Sequence, residues 1–295
     1  MPAIERILCP TDFSECSARA YDYGLSLARH YGSSLFLQHV LDFTLPSYAY
    51  YANATYIDDL FQRVRHDGRL QLEEFAKRPS DYGAMPERVL CEGAPAKSIL
   101  AFAQAKTINL IVMGSQGLKR NNGSPALGSV AEKVLRRSPC SVLVVRKPEH
   151  DFANPGNEQD PIHISKLLVC TDFSKYSATA LQHAVSIAAE YQAELTLLHV
   201  WEDMPSTADW QSVARPLLAQ LEALITSEMR QSCTIKPFVR MGKAYQQIIQ
   251  HAREVQSDAV IMGVRGRNAL DLALFGSNTH RVIQLGPCPV LAVQV

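Results

Sequence analysis

The chain repeats itself, and the repeat restricts its fold more than any other feature. Thr171-Asp172-Phe173-Ser174 copies Thr11-Asp12-Phe13-Ser14 at an offset of 160 residues. Ala178, Leu181, Val185 and Ala188 fall where Ala18, Tyr21, Leu25 and Ala28 stand, and His199-Val200 repeats His39-Val40. From Gly242, the match of Gly93, through Gly263 and Gly266 the offset is 149. Since 160 minus 149 is 11, the first half holds eleven extra residues between its second and third strands. Such a chain must build one domain twice, and 295 residues suffice for two ordinary cores.

Each copy alternates short apolar runs with helical periodicity. Ile4–Cys9, Ser34–Val40, Glu87–Cys91, Leu110–Met113 and Ser141–Val145 read as strands. Between them, Ser14 is a helix N-cap and Gly32 a helix stop, and further helices start near Ala94 and at Ser129. Strand-helix alternation implies a parallel sheet with helices on both faces. The expected fold is α/β, with two Rossmann-like domains, each a five-stranded, mainly parallel sheet of order 3-2-1-4-5. The domains span 1–146 and 163–295. The polar stretch 147–162, with prolines at 148, 155 and 161, reads as a linker.

A glycine-rich turn follows the fourth strand of each copy. In the second it carries Gly263, Gly266, Gly276 and Ser277, with two and then nine residues between glycines. In the first it carries Gly114, Gly117, Gly128 and Ser129, with ten residues in the longer gap. A turn between a strand's carboxyl end and a helix start points backbone N–H groups outward, and the helix dipole favours an anion there. A phosphate is the expected guest. Arg265 and Arg267 flank Gly266, either reaching phosphate oxygens or simply facing solvent. The first turn has Lys119, Arg120 and Pro125 instead.

Ligands of doubly wound sheets sit beyond the strand carboxyl ends, where strand order reverses. Asp12 and Asp172 lie there, able to accept hydrogen bonds from a ribose or base, or to hold a helix-entry turn. His39 and His199 read as satisfied core residues, without a second histidine at metal spacing. Tyr48, Tyr50, Tyr51 and Tyr56 fall in a loop of the first copy, where they stack on a base or pack a flap. No Gly-Lys-Ser/Thr ending, Gly-x-Ser-x-Gly elbow or carboxylate cluster occurs, so neither a catalytic residue nor a metal site is expected.

Lys plus Arg is 29 and Asp plus Glu is 29, a balance that argues against general binding of nucleic acid or an anionic membrane. Seven cysteines without a Cys-x-x-Cys spacing argue against a disulfide framework or zinc site and read as small core residues. The start lacks a signal-peptide pattern, and no apolar run approaches the roughly 18 residues of a membrane helix, so a cytoplasmic protein is expected.

With Thr-Asp-Phe-Ser, His-Val, the glycine turn and the following Pro-Cys strand (Cys140 and Cys288) in both copies, the chain resembles the universal stress protein family in tandem two-domain form. The resemblance implies an ATP-binding regulatory stress-response protein, with magnesium carried on the phosphates and hydrolysis slow or absent. It carries a pattern Gly-x2-Gly-x9-Gly-Ser/Thr that the second copy matches and the first misses by one residue. It implies that Asp12 and Asp172 touch the nucleoside and that Val40 and Val200 meet adenine through their backbone. The phosphates would lie on the glycines, Ser129 and Ser277, with Val130 and Asn278 just behind. Pro10, two residues before the Asp as in many binders of the family, is replaced by Cys170 in the second copy. The resemblance also implies that the last strands pair antiparallel in an internal pseudo-dimer, on which a homodimer of chains can build. Two rival expectations are an ATP-consuming enzyme of a related fold and a scaffold that binds a small molecule or a protein instead of nucleotide.

Overall fold

The computed structural model describes residues 4–43, 54–77, 85–118, 126–147, 149, 151–153, 162–202, 210–265 and 276–294. The first half runs β1 (Arg6–Thr11), α1 (Glu15–Tyr31), β2 (Ser34–Leu41), α2 (Ala54–Ala76), β3 (Glu87–Glu92), α3 (Pro95–Ala105), β4 (Leu110–Gly114), α4 (Ser129–Arg137) and β5 (Ser141–Val145). The second runs β6 (Lys166–Thr171), α5 (Lys175–Tyr191), β7 (Glu194–Trp201), α6 (Trp210–Leu224), α7 (Ser227–Ser232), β8 (Ile235–Met241), α8 (Ala244–Val255), β9 (Ala259–Gly263), α9 (Ser277–Leu285) and β10 (Val290–Val293).

The strands form a ten-stranded sheet of order β3-β2-β1-β4-β5-β10-β9-β6-β7-β8. The first half therefore has the expected order 3-2-1-4-5. Pairing within each half is parallel, because every crossover runs through a helix. The halves meet at β5 and β10, which run antiparallel with Val290 opposite Val144 and Leu291 opposite Leu143. This joint pairs the β5 and β10 edges with each other and leaves β3 and β8 as the outer edges of the sheet.

Because successive strand residues face opposite ways, the sheet feeds two cores. Ile7, Cys9, Leu110, Val112, Leu143 and Leu291 point to the α1 and α5 side, and Leu8, Ile111, Met113, Val142 and Val290 to the α4 and α9 side. Each core contains residues of both halves. Cys9, Cys170 and Cys288 are buried as expected of small core residues, whereas Cys16, Cys91, Cys140 and Cys233 are only half-buried; all seven are free thiols.

Three local expectations change. Helix α2 begins at Ala54, inside the stretch read as loop, and Tyr56 is an exposed helical residue; Tyr48, Tyr50 and Tyr51 lie outside the described residues. The connecting stretch is not wholly polar packing: Phe152 and Ile162 are buried, and Ala153 bridges Ile162. Asp151 accepts from Arg19 Nη1 and from the Tyr23 hydroxyl, both at 2.6 Å, and Phe152 sits edge-on to Tyr23 with centroids 4.6 Å apart. Helix α5 lacks this cover, carrying Thr179 and His183 at the positions of Arg19 and Tyr23, and Ala178 is exposed where Ala18 is buried.

Candidate functional site

The site is built at the carboxyl ends of β1 and β4, and again at those of β6 and β9. Order reverses beside β1, so the connections leaving β1 and β4 diverge to opposite faces and open a crevice. The Thr-Asp-Phe-Ser turn shapes one wall. Phe13 has φ 65° and Phe173 φ 62°, left-handed values that L residues avoid. Each is held by its neighbours. The Phe13 N–H donates to Thr11 Oγ1 at 3.0 Å, and the ring packs on His39 with centroids 4.3 Å apart. Phe173 repeats both contacts, at 3.1 Å to Thr171 Oγ1 and 4.5 Å to His199.

The histidines belong to this scaffold. His39 Nδ1 donates to the Thr11 carbonyl and His199 Nδ1 to the Thr171 carbonyl, each at 2.8 Å. A carbonyl only accepts, so the proton sits on Nδ1. Burial pushes the His39 pKa down, partly offset by the Thr11 bond and the charge of Asp12. This agrees with the structural role expected of both residues.

Asp12 does more than hold its own turn. Oδ1 accepts from the Ser14 N–H at 3.2 Å and the Ser14 hydroxyl at 2.6 Å, while Oδ2 accepts from the Leu118 N–H at 2.9 Å. It thereby ties the β1 turn to the glycine turn after β4. Gly117 is glycine for that reason, since a Cβ there would lie 2.2 Å from Asp12 Oδ2. Asp172 accepts from the Ser174 N–H at 3.1 Å in the same way. Gly266, Arg267 and, in the first turn, Lys119, Arg120 and Pro125 lie outside the described residues. Gly114 and Gly263 let the strand ends pass against the next helix: a Cβ would come within 2.9 Å of the Cys16 backbone and 3.0 Å of the Tyr176 backbone.

The far wall is a helix start. Gly128 and Gly276 are the N-caps of α4 and α9, and neither has a side chain to cap the first turn. The contrast with α1 and α5 is clear, where Ser14 and Ser174 accept from the N–H groups of Ser17 and Ser177. The glycine N–H groups themselves close the turns, Gly128 to the Ser115 carbonyl at 2.8 Å and Gly276 to the Val264 carbonyl at 3.0 Å. That leaves the first-turn residues Ser129 and Val130, and Ser277 and Asn278, at the dipole's positive end. The one-residue difference in spacing does not disturb this: both turns close with the same bond from N-cap glycine to the residue after the strand.

Val40 and Val200 each extend one residue past the last partner on the central strand, His39 opposite Thr11 and His199 opposite Thr171. Both remain paired on the other side, opposite Cys91 and Arg240. Pro10 is the penultimate residue of β1, half-buried opposite Gln38; its counterpart Cys170 is buried.

The two crevices differ in charge beyond the arginines at 265 and 267 that the sequence singles out. The Arg265 guanidinium lies 5.8 Å from the Tyr176 ring centroid, and Lys175 Nζ lies 5.2 Å from it, so one ring gathers two cations. The matching residues of the first half are Glu15, Cys16 and Gln116. Lys175 and Tyr176 carry no motif of their own and lie about ninety residues from Arg265, so only the offsets between the halves, set residue against residue, connect them to it. Among the described residues, no group of three His, Cys, Asp or Glu is arranged to hold a metal, and no helix is long and apolar enough to cross a membrane.

Comparison with known proteins agrees with this architecture. The model of the Universal stress protein family matches residues 3–146 and again 163–294. Universal stress protein Rv2623 of Mycobacterium tuberculosis is 30% identical over 219 residues, which cover 72% of this chain and 70% of that protein. Universal stress protein MJ0531 of Methanocaldococcus jannaschii is 31% identical over 147 residues, 50% of this chain and 85% of that protein. The crystal structure of a universal stress protein from Archaeoglobus fulgidus shares the fold with a TM-score of 0.69 at 23% identity, covering 98% of this chain and 96% of that one. The chain belongs to the universal stress protein family and carries the family's domain twice, in tandem.

Proposed function

We propose that the protein binds ATP, with magnesium held through the phosphates, as a regulatory ligand in a stress response, and hydrolyses it slowly or not at all. The observation that carries the reading is the pair of helix starts at Gly128 and Gly276, free of a capping side chain and set beside the strand ends that bear Asp12 and Asp172. The residues fit the ligand. First-turn N–H groups suit phosphate oxygens, and a carboxylate suits ribose hydroxyls. The backbone of Val40 and Val200, beyond the last pairing with the central strand, suits an adenine edge. Gly114, Gly117, Gly128, Ser129 and Val130 serve the first crevice with Pro10; Gly263, Gly266, Gly276, Ser277, Asn278 and Arg265 serve the second. Among the described residues, no side chain in either crevice is set up as a base or arginine finger to activate water, which supports a binding role over turnover.

The second crevice is the tighter of the two in this reading, because Lys175 and Arg265 add positive charge where the first half has Glu15 and Gln116. The domains are taken as 1–146 and 163–295, joined by 147–162, with the β5–β10 joint making an internal pseudo-dimer and a homodimer of chains built on it. The protein is taken to act in the cytoplasm, on neither nucleic acid nor membrane. Calorimetry with ATP and magnesium tests the reading, with the variants Gly128→Val and Gly276→Val made separately. Binding is expected in the wild type, with the larger loss in Gly276→Val. No heat at millimolar nucleotide refutes the function, and loss in Gly128→Val alone refutes the ranking. Rapid release of ADP or pyrophosphate would favour an enzyme instead.

A further inference from the structure

A partly open apolar pocket of about 50 Å³ lies where the two halves meet, away from both crevices. Leu27, Leu110 and Leu143 line it from the first half, and Leu167, Ile261 and Leu291 from the second. Phe152 of the connecting stretch adds a further apolar wall. Its position follows from the fold: it sits on the α1 and α5 side of the β5–β10 joint, where Leu143 faces Leu291 across the antiparallel pair. Two twisted sheets joined at their edges leave a gap there that helices α1 and α5 do not fill.

Tyr31 and Tyr191 stand at its rim, at equivalent positions 160 residues apart, and they form a latch between the halves. The Tyr191 hydroxyl donates to the Tyr31 hydroxyl at 3.3 Å, and Tyr31 donates to Glu190 Oε2 at 3.1 Å. His30 Nε2 meets the other oxygen of Glu190 at 2.9 Å and stacks on Tyr191 with centroids 4.9 Å apart. The hydroxyls are thus turned to each other and to a carboxylate, and the cavity keeps an apolar lining.

From this geometry we infer that the cavity is a binding site for a compact apolar molecule, entered past the Tyr31–Tyr191 latch. Water is a poor occupant, because it needs two to four polar partners and the leucines and isoleucines offer none. Size sets the class of ligand. A dry cavity of roughly 150 Å³ lined by such residues takes benzene or xenon. At a third of that volume this one excludes an aromatic ring and suits a single xenon atom, a diatomic gas or a very short hydrocarbon. Such an occupant gains dispersion contacts from both halves at once, so binding also favours their paired arrangement.

The test uses the full chain and xenon as the probe, read by the methyl NMR shifts of Leu143, Ile261 and Leu291. Saturable shifts confined to these methyls are expected in the wild type. They should vanish in Ala259→Leu, which fills the cavity from β9. In Leu143→Ala, which enlarges it, benzene should shift the remaining lining methyls, as it does not in the wild type. Absence of xenon shifts in the wild type overturns the inference, and so do wild-type shifts in a folded Ala259→Leu protein. Should Ala259→Leu fail to fold, the benzene arm decides: no benzene effect in Leu143→Ala overturns it.

Discussion

His251 predicts how stability should depend on pH in the second half. It lies on α8, 2% exposed, between Arg240 of β8 and the ring of Phe238, whose centroid is 5.1 Å away. Arg240 Nε donates to His251 Nδ1 at 3.0 Å, so Nδ1 is the unprotonated nitrogen, and the guanidinium is itself paired with Glu254. Burial, then the Arg240 charge, push the pKa down to about 4, against a smaller upward pull from Glu254. The neutral form is the native one. In the unfolded chain the group titrates near 6.5, so between about pH 6.5 and 4 the unfolded state binds the extra proton. Stability is then complete above about pH 6.5 and falls as the pH drops toward 4. The span from about 6.5 down to about 4, at roughly 1.4 kcal/mol per pH unit, sets an upper bound of about 3.5 kcal/mol. At ~2–4 °C per kcal/mol, that bound corresponds to about 7–14 °C in the thermal midpoint. The assay is thermal unfolding from pH 7 to pH 4.5 for the wild type and for His251→Phe, which cannot take a proton. Losing the Arg240 bond lowers the variant's midpoint at every pH alike, so the difference in slope isolates the histidine. His39, His183 and His280 are lowered too and act in the same direction in both proteins, so they cancel. Parallel midpoint curves, or an imidazole that titrates near 6.5 by NMR, would refute the reasoning.

Gly117→Ala would drive its methyl into Asp12 Oδ2, breaking the bond to the Leu118 N–H, and should cost about 1–3 kcal/mol while weakening nucleotide binding at the first crevice only; denaturant unfolding and calorimetric stoichiometry check both parts. The double change Lys175→Glu with Arg265→Gln, which copies the first half, should weaken ATP binding at the second crevice about tenfold, or ~1.4 kcal/mol, with less effect in high salt. An unchanged affinity at low salt would show that these cations do not reach the phosphates. Phe152→Ala should destabilise by about 3–5 kcal/mol, because the ring is buried against Tyr23; a loss below ~1 kcal/mol in denaturant melts would mean that the connecting stretch packs weakly.

What the sequence made legible was the part fixed by backbone requirements. Thr11, Phe13, Ser14, Ser17 and His39 reappear as Thr171, Phe173, Ser174, Ser177 and His199 because each has a bond to make in a turn with a left-handed residue. Gly93 and Gly242 recur because both stand at positive φ, 123° and 126°, after an edge strand. Such demands are local or fall between neighbouring strands, so period and spacing reveal them. Contacts between distant segments carry no such signature. Nothing in the polar composition of 147–162 announced that Phe152 would bury itself against Tyr23, and nothing in the helix period showed that Ala178 would stay exposed.

The same division separates what the two crevices share from what distinguishes them. A strand-to-helix turn needs glycine where it crosses a neighbouring helix and an acceptor after the first strand, whatever it binds. Those positions leave little room for change, so both halves keep them despite a one-residue difference in turn length. Glu15 against Lys175, Cys16 against Tyr176 and Gln116 against Arg265 are side chains the backbone does not require. They are free to diverge after duplication without disturbing the fold. A cation pair over one ring is a small structural change and a large electrostatic one, since charge-assisted contacts to phosphate are about twice as strong as neutral ones. Function in this tandem chain should therefore divide along residues that break the repeat, and variants exchanging them between halves should move ligand preference while leaving the sheet intact.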